Sequence, residues 1–185
     1  MTDLLPNSAF GGRTPRRETF GALTISENVD LALASLAVLR DRSAPQPFGM
    51  TLPSAGTATF SGDAVALWIG SNQWLIGRAE TEAADFAAAV KQEAPGCAVT
   101  EQTDGFVVLD IVSNTGADLI AALMSKLVNL DPTLLCPGCA TRTGLKHMTV
   151  FLVRRADDHL TVMGLRSLAE ALWRELSIAA KRLDT

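Results

Sequence analysis

The chain has 185 residues, of which 48% are hydrophobic and 19% are charged, and its formal net charge is −4. An acidic chain does not attract nucleic acid, no apolar run reaches the roughly 18 to 20 residues of a membrane helix, and the start MTDLLPNSAF lacks the parts of a secretory signal. Three cysteines are too few for a disulfide framework at this length, so we expect a cytoplasmic protein without nucleic-acid or membrane partners.

The charged fraction lies below the roughly 25% of a typical soluble domain. Two interpretations remain open. Alanine is abundant and inflates the apolar share, or part of the surface is covered by a partner.

The N-terminal residues 1–18 are rich in Pro, Gly, Asn and Arg and have no apolar periodicity, which predicts a flexible arm. Arg13, Arg16 and Arg17 form a basic cluster there. This cluster is either part of a solvated tail or becomes ordered against an acidic partner. We expect residues 19–185 to form a single domain.

The domain opens with short strand-like segments near Phe20 and within Leu31–Leu39, and three prolines in Ser43–Pro53 predict a loop. The next two apolar segments, Ala64–Ile69 and Gln73–Gly77, predict a hairpin that turns at Gly70-Ser71-Asn72.

The central part of the sequence predicts two helices around a buried strand. Thr81–Glu93 is alanine-rich, with Phe86 and Val90 facing inward. Gly105–Val112 is apolar at nearly every position, which is typical of a central strand. Thr115–Val128 has a helical apolar stripe and a capping-box pattern, Thr115 with Asp118, at its start.

The last third predicts a second hairpin and a final helix. The strands are Thr143–Arg154 and Leu160–Gly164, with a turn at Asp157-Asp158. The helix starts at Ser167, with Glu170 completing a capping box. Helices that follow hairpins favour the α+β class, with helices packed against mainly antiparallel sheet.

Cys136-Pro137-Gly138-Cys139 is the most distinctive chemical motif. Thiolates at this spacing are candidate zinc ligands or a redox dithiol. Further ligands would have to come from Cys97, His147 or His159, and no second paired motif accompanies the first. Ordinary loop thiols are the remaining interpretation.

Candidates for other chemistry are sparse. The sequence contains no GxSxG, P-loop or GxGxxG pattern, and we expect His147 and His159 to be solvated. Asp110 interrupts the apolar strand FVVLDIV. It either binds a ligand or accepts bonds from backbone amides or from an arginine such as Arg142 or Arg166.

Three residues are further candidates for a partner interface. Arg166 has no local role, so it pairs with a carboxylate inside the chain or on a partner. Trp68 and Trp74 lie on the first hairpin, where either core packing or anchoring of a partner would explain them.

Several segments together resemble the gamma subunit of heterotetrameric sarcosine oxidase. They are ALWIGSNQWLIG, DGFVVLDIVSNTGADLIAALMSKLVNLDP and CATRTGLKHMTVFLVRRADDHLTVMGLRSLAEALWREL, which cover about residues 60–180. The matching positions are Ile69–Leu75, Thr115–Leu123, Leu130–Pro132, Cys139–Thr143 and Arg166–Ala169. The chain departs from the family pattern at Ser71-Asn72, Leu168 and Cys136.

The resemblance implies a fold similar to a folate-binding aminomethyltransferase domain, without an active site of its own. It also implies alpha, beta and delta partner subunits, of which alpha is the chief contact. FAD, FMN, NAD, tetrahydrofolate and zinc would lie on those other subunits. The complex would demethylate sarcosine to glycine and pass the methyl carbon to tetrahydrofolate; the related N-methylglutamate dehydrogenase complex is the alternative.

Overall fold

The computed structural model describes residues 8–40, 43–79 and 85–184. Contacts within the chain divide these residues into two compact units. The first unit comprises residues 30–104. The second comprises residues 8–29 together with residues 105–184.

The strands of the second unit are β1 (Arg17–Phe20), β2 (Leu23–Glu27), β8 (Phe106–Ser113), β9 (Ala140–Leu145), β10 (Met148–Ala156) and β11 (His159–Leu165). They form one antiparallel sheet in the order β1-β2-β8-β11-β10-β9. The central strand β8 pairs with both β2 and β11. This confirms the buried central strand that the apolar run predicted.

Two helices cover one face of this sheet: α2 (Ala117–Ser125) and α3 (Ala169–Lys181). Side chains alternate between the two faces of a strand, so Leu109 and Ile111 of β8 point to the helices and are fully buried. The helices contribute Ile120, Leu172 and Trp173 to the same core.

The described residues of the first unit contain β3 (Leu31–Ala37), β4 (Ala58–Ser61), β5 (Ala64–Gly70), β6 (Gln73–Ala79), β7 (Ala98–Glu101) and the helix α1 (Phe86–Glu93). The strands form an antiparallel sheet in the order β4-β5-β6-β3-β7. The predicted hairpin corresponds to β5 and β6, and it turns at Ser71-Asn72.

Helix α1 begins after Asp85, whose carboxylate accepts a hydrogen bond from the backbone N–H of Ala88. Its buried side chains are Phe86 and Val90, as the sequence predicted. The first residues of the predicted helix, 81–84, lie outside the described residues.

The α+β class with mainly antiparallel sheets and packed helices is therefore confirmed. The single domain over 19–185 stays a prediction, because two compact units can be parts of one domain. The flexible arm over 1–18 also stays a prediction, since flexibility is a property of motion. Within the described residues, no helix has the length and hydropathy needed to cross a membrane.

Both predicted capping boxes are wrong. Gly116, with φ of 91°, precedes α2 and no side chain caps it, so Thr115 lies one residue too early. At the other site, Arg166–Leu168 forms a short 3-10 turn, which moves the start of α3 from Ser167 to Ala169.

The strand predicted over Thr143–Arg154 is also wrong in its bounds. The chain reverses between β9 and β10 at Lys146 and His147, where Lys146 adopts φ of 54°. His147 lies in this turn and is exposed, as expected from the sequence. Lys-His is not one of the usual turn pairs, so the residue types at these positions did not predict a turn between β9 and β10.

Candidate functional site

The sheet face opposite the second unit's core carries one carboxylate, Asp110 of β8. The strand register places Ser26 of β2 and Thr161 of β11 directly opposite it. The side chain of Asp110 is 16% exposed. A carboxylate in this position requires hydrogen-bond donors, because burying an unpaired charge is costly.

Three side chains supply those donors. The Thr161 hydroxyl donates to Oδ1 of Asp110 at 2.5 Å, and Nε2 of His159 lies 3.0 Å from the same oxygen. The Asn28 amide donates to Oδ2 at 2.9 Å. The hydroxyl of Thr161 in turn accepts from Nε of Arg155 at 3.0 Å. We refer to these five residues as the Asp110 cluster.

Opposing effects set the pKa of Asp110. Burial disfavours the charged form, but hydrogen bonds from His159, Thr161 and Asn28, together with the charge of His159, outweigh burial and hold the pKa below its usual value. Asp110 is therefore ionised at neutral pH, and Nε2 of His159 donates to it.

This geometry favours a structural role over acid–base chemistry. A carboxylate has about four lone-pair sites, and three are already used here. A general base works best with a pKa near the operating pH, whereas the pKa of Asp110 is shifted away from neutrality. The cluster ties β2, β8 and β11 together through side chains.

The cluster corrects two sequence expectations. Asp110 accepts its bonds from side chains of Asn28, His159 and Thr161, not from backbone amides or from an arginine. Arg142 instead lies 5.8 Å from the ring centroid of Phe151. His159, expected to be solvated, is half-buried in contact with Asp110.

The three N-terminal arginines differ in their surroundings. Arg13 and Arg17 are exposed. The guanidinium of Arg16 lies over the rings of Phe10, at 5.2 Å, and Trp173, at 4.5 Å, and pairs with Glu170 at 3.1 Å.

The other interface candidates have partial explanations within the chain. Trp74 is buried, and its indole N–H donates to the carbonyl of Pro53 at 2.8 Å. Trp68 is half-buried opposite Trp74 in the hairpin. Arg166 is half-buried in the 3-10 turn before α3.

The two cysteines of the motif lie next to each other in the connection that enters β9. Their sulfur atoms are at bonding distance, so the structure pairs Cys136 with Cys139 as a disulfide. Cys97 is buried in the first unit. The described residues contain no group of three or more His, Cys, Asp or Glu side chains placed to hold a metal ion.

Sequence comparisons give no assignment: no protein-family model matches the chain, and no curated protein matches it. Solved structures do match. A chain of the heterotetrameric sarcosine oxidase from Corynebacterium sp. U-96, solved in complex with pyrrole 2-carboxylate, superposes with a TM-score of 0.72 at 17% identity. The match covers 91% of this chain and 88% of that one.

A second structure is the glycine cleavage system aminomethyltransferase T from Bartonella henselae, with a TM-score of 0.58 and 14% identity. The match covers 84% of this chain but only 48% of the aminomethyltransferase, so this chain spans about half of that protein. At these identities the likeness establishes the fold alone. The predicted aminomethyltransferase-like fold is thereby confirmed.

Proposed function

We propose that the chain is a structural subunit, without catalytic groups of its own, of a multi-subunit flavin enzyme that oxidises sarcosine. The observation that carries the proposal is the match over nearly the full length of both chains to one chain of a heterotetrameric sarcosine oxidase. The partner subunits would hold FAD, FMN, NAD, tetrahydrofolate and zinc. They would convert sarcosine to glycine and pass the methyl carbon to tetrahydrofolate.

The polar chemistry of the chain supports this role. The strongest carboxylate candidate, Asp110, is ionised and occupied by three donors from its own sheet. A subunit of this kind contributes shape and contact area, while reacting groups come from its neighbours.

The exposed apolar residues support the same proposal. Among the described residues, five large hydrophobic side chains are exposed: Leu39, Phe60, Leu134, Leu165 and Ile178. Beside Leu165, Phe106 and Phe151 pack edge to face at 6.1 Å on the same sheet face. Burying apolar surface of this kind against a partner is favourable, because it removes the surface from water.

The test is purification of the tagged chain from its native cells, followed by assays of the whole complex and of the chain separated from it. We expect sarcosine-dependent turnover and flavin absorbance in the complex, and neither in the separated chain. Turnover by the separated chain would overturn the structural role. A complex that oxidises N-methylglutamate instead would identify the related dehydrogenase.

A second candidate, a stand-alone folate-binding protein, is favoured by the likeness to the aminomethyltransferase. Asp110 would then contact the pterin ring. Asp110 fits that role poorly, because Thr161, His159 and Asn28 already use three of its roughly four lone-pair sites and leave room for at most one pterin donor. Calorimetry with tetrahydrofolate tests it: saturable heat that Asp110→Asn abolishes would favour this candidate over the subunit.

A further inference from the structure

The connection between α2 and β9 places two cysteines in a tight turn. Cys136-Pro137-Gly138-Cys139 is closed by a hydrogen bond of 2.9 Å from the backbone N–H of Cys139 to the carbonyl of Cys136. Gly138 adopts φ of 84°, which matches a type II turn with proline at its second position and glycine at its third. The residue types therefore favour this turn, and it brings the two Cα atoms to 5.4 Å, within the range that a disulfide requires.

Backbone hydrogen bonds also attach this turn to the sheet. The N–H of Gly138 donates to the carbonyl of Arg154 at 2.9 Å, and the N–H of Arg154 donates to the carbonyl of Cys139 at 2.9 Å. Gly138 and Cys139 thus lie opposite one residue of β10, which is a β-bulge with a left-handed glycine at its first position. Because these bonds involve no sulfur atom, we expect the turn to keep its conformation when the disulfide is reduced.

The preceding segment is fixed in a similar way. The carboxylate of Asp131 accepts hydrogen bonds from the N–H and the hydroxyl of Thr133, at 2.9 and 2.8 Å. The hydroxyl of Thr141 in β9 donates to the carbonyl of Leu134 at 3.3 Å. The carbonyl of Thr133 lies 3.7 Å from Sγ of Cys139. A thiol is a weak donor, so the reduced form of Cys139 also has an acceptor in place.

The two sulfur atoms of the turn differ in access. Cys136 is exposed, whereas Cys139 is half-buried. In thiol–disulfide exchange an external thiol must reach one sulfur of the bond, so access decides which sulfur reacts first. Cys136 is therefore the sulfur that meets an external thiol. The third cysteine, Cys97, is buried in the first unit and does not compete with it.

We propose that Cys136 and Cys139 form a reversible dithiol–disulfide site that exchanges with low-molecular-weight thiols of the glutathione type. This inference goes beyond the proposed function and does not depend on it. In the oxidising direction, the thiolate of Cys136 attacks a small disulfide RSSR, which forms a mixed disulfide and releases one RS⁻. The thiolate of Cys139 then attacks the sulfur of Cys136, which closes the disulfide of the turn and releases the second RS⁻. Two electrons pass from the cysteines to RSSR, the two protons that the cysteines lose convert RS⁻ to RSH, and the reverse steps reduce the site.

Redox titration of the purified full chain tests the reversibility. The chain is equilibrated in buffers that range from reduced to oxidised glutathione, and its free thiols are then alkylated and counted by mass spectrometry. We expect the thiols of Cys136 and Cys139 to appear and disappear together, with the same curve from either direction. A pair that stays disulfide in every buffer would overturn the proposal. So would a pair that stays dithiol in every buffer, and zinc bound in proportion to the chain would then indicate a metal site instead.

Two single-cysteine variants test the roles of the two sulfur atoms. In Cys139→Ser, oxidised glutathione should form a stable mixed disulfide at Cys136, because no second thiol can displace it. Cys136→Ser is the matched control. Cys139 is less accessible, so its mixed disulfide should form about tenfold more slowly. Equal rates, or a faster reaction at Cys139, would contradict the assignment of Cys136 as the sulfur that reacts first.

Amide hydrogen exchange separates a redox site from a disulfide that holds the fold together. The amides of Gly138, Cys139 and Arg154 should have the same protection in the oxidised and the reduced chain, because their acceptors are backbone carbonyls. Loss of this protection on reduction, or of the native far-UV circular dichroism, would show that the disulfide is structural and would overturn the proposal. None of these outcomes bears on the subunit role, which is tested separately.

Discussion

The two units have similar sheets but different cores. Among the buried core residues of the first unit are five alanines: Ala32, Ala34, Ala64, Ala66 and Ala94. The second unit's core consists mainly of leucine, isoleucine, valine and methionine with Trp173. A large aliphatic side chain buries more apolar area than alanine and contributes more to stability. The second unit therefore contributes more of the hydrophobic stabilisation.

The largest predicted effect tests that difference directly. Leu109→Ala in the second unit should lower the free energy of unfolding by about 2–5 kcal/mol, because it removes a fully buried side chain from the centre of the sheet. Leu36→Ala, equally buried among the alanines of the first unit, should fall at the lower end of that range.

Denaturant unfolding followed by tryptophan fluorescence and circular dichroism measures both losses. Leu165→Ala is the control, and since Leu165 is exposed it should change stability by less than about 0.5 kcal/mol. Equal losses for Leu109 and Leu36 would contradict the difference between the cores.

The next prediction compares a half-buried carboxylate with an exposed one. Asp110→Asn should cost about 1.5–3 kcal/mol at neutral pH, because hydrogen bonds to a charged group are replaced by bonds to an amide. The comparison is Glu101→Gln in the first unit. The carboxylate of Glu101 accepts hydrogen bonds from the backbone N–H groups of Ala87 and Thr103. Glu101 is exposed, so water compensates and the loss should be smaller.

The same variant has a predicted pH dependence. The pKa of Asp110 is lower in the folded chain than the roughly 3.9 of an unfolded one. The carboxylate's stabilisation is therefore fully present above pH 4 to 5 and is lost as pH falls through the folded-state pKa. Unfolding at a series of pH values should show the difference between the parent and Asp110→Asn shrinking below about pH 4. A constant difference would contradict the ionised cluster.

Adding a methyl group at one glycine of each unit compares how tightly the two units are packed. A Cβ on Gly164 of β11 would lie 2.9 Å from Cδ2 of the buried Leu172, so Gly164→Ala should cost about 1–3 kcal/mol through overpacking. At Gly77 the nearest atoms, of Leu33 and Val65, lie at 3.1 Å, and a smaller loss is expected.

Thermal unfolding of both variants measures these losses. The control is Gly144→Ala in β9, where a Cβ meets nothing within 4 Å. That change should be neutral or slightly stabilising. The packing account would be wrong if Gly164→Ala and Gly144→Ala behaved alike.

The smallest predicted effect concerns one hydrogen bond of the first unit. Trp74→Phe keeps an aromatic ring but removes the bond to the carbonyl of Pro53, which should cost about 1 kcal/mol. Trp68→Phe, on the paired strand, should cost less because Trp68 is more exposed. A loss at Trp68 above that at Trp74 would point to a larger packing role for Trp68.

Local patterns predicted much of the fold. The apolar runs within Ala64–Gly70, Gln73–Ala79 and Phe106–Ser113 indicated their strands, because burial of successive residues leaves a direct trace in sequence. The start of α3 and the turn at Lys146 were not predictable in this way. They depend on a 3-10 turn and on a left-handed residue that the residue types do not favour.

For the candidate site, the sequence predicted only that Asp110 needs hydrogen-bond donors. A carboxylate in an apolar strand requires such donors, but which residues supply them depends on strand pairing. Asn28 and Thr161 are separated from Asp110 by 82 and 51 residues, and only the strand pairing brings Thr161 opposite it and Asn28 within hydrogen-bond distance.

The subunit role is tested by the native mass of the tagged chain purified from its own cells, with the visible absorbance recorded on the same sample. We expect an assembly of this chain with larger, unlike polypeptides, and we expect that assembly to contain flavin. A colourless species with the mass of this chain alone, about 19.6 kDa, would contradict it.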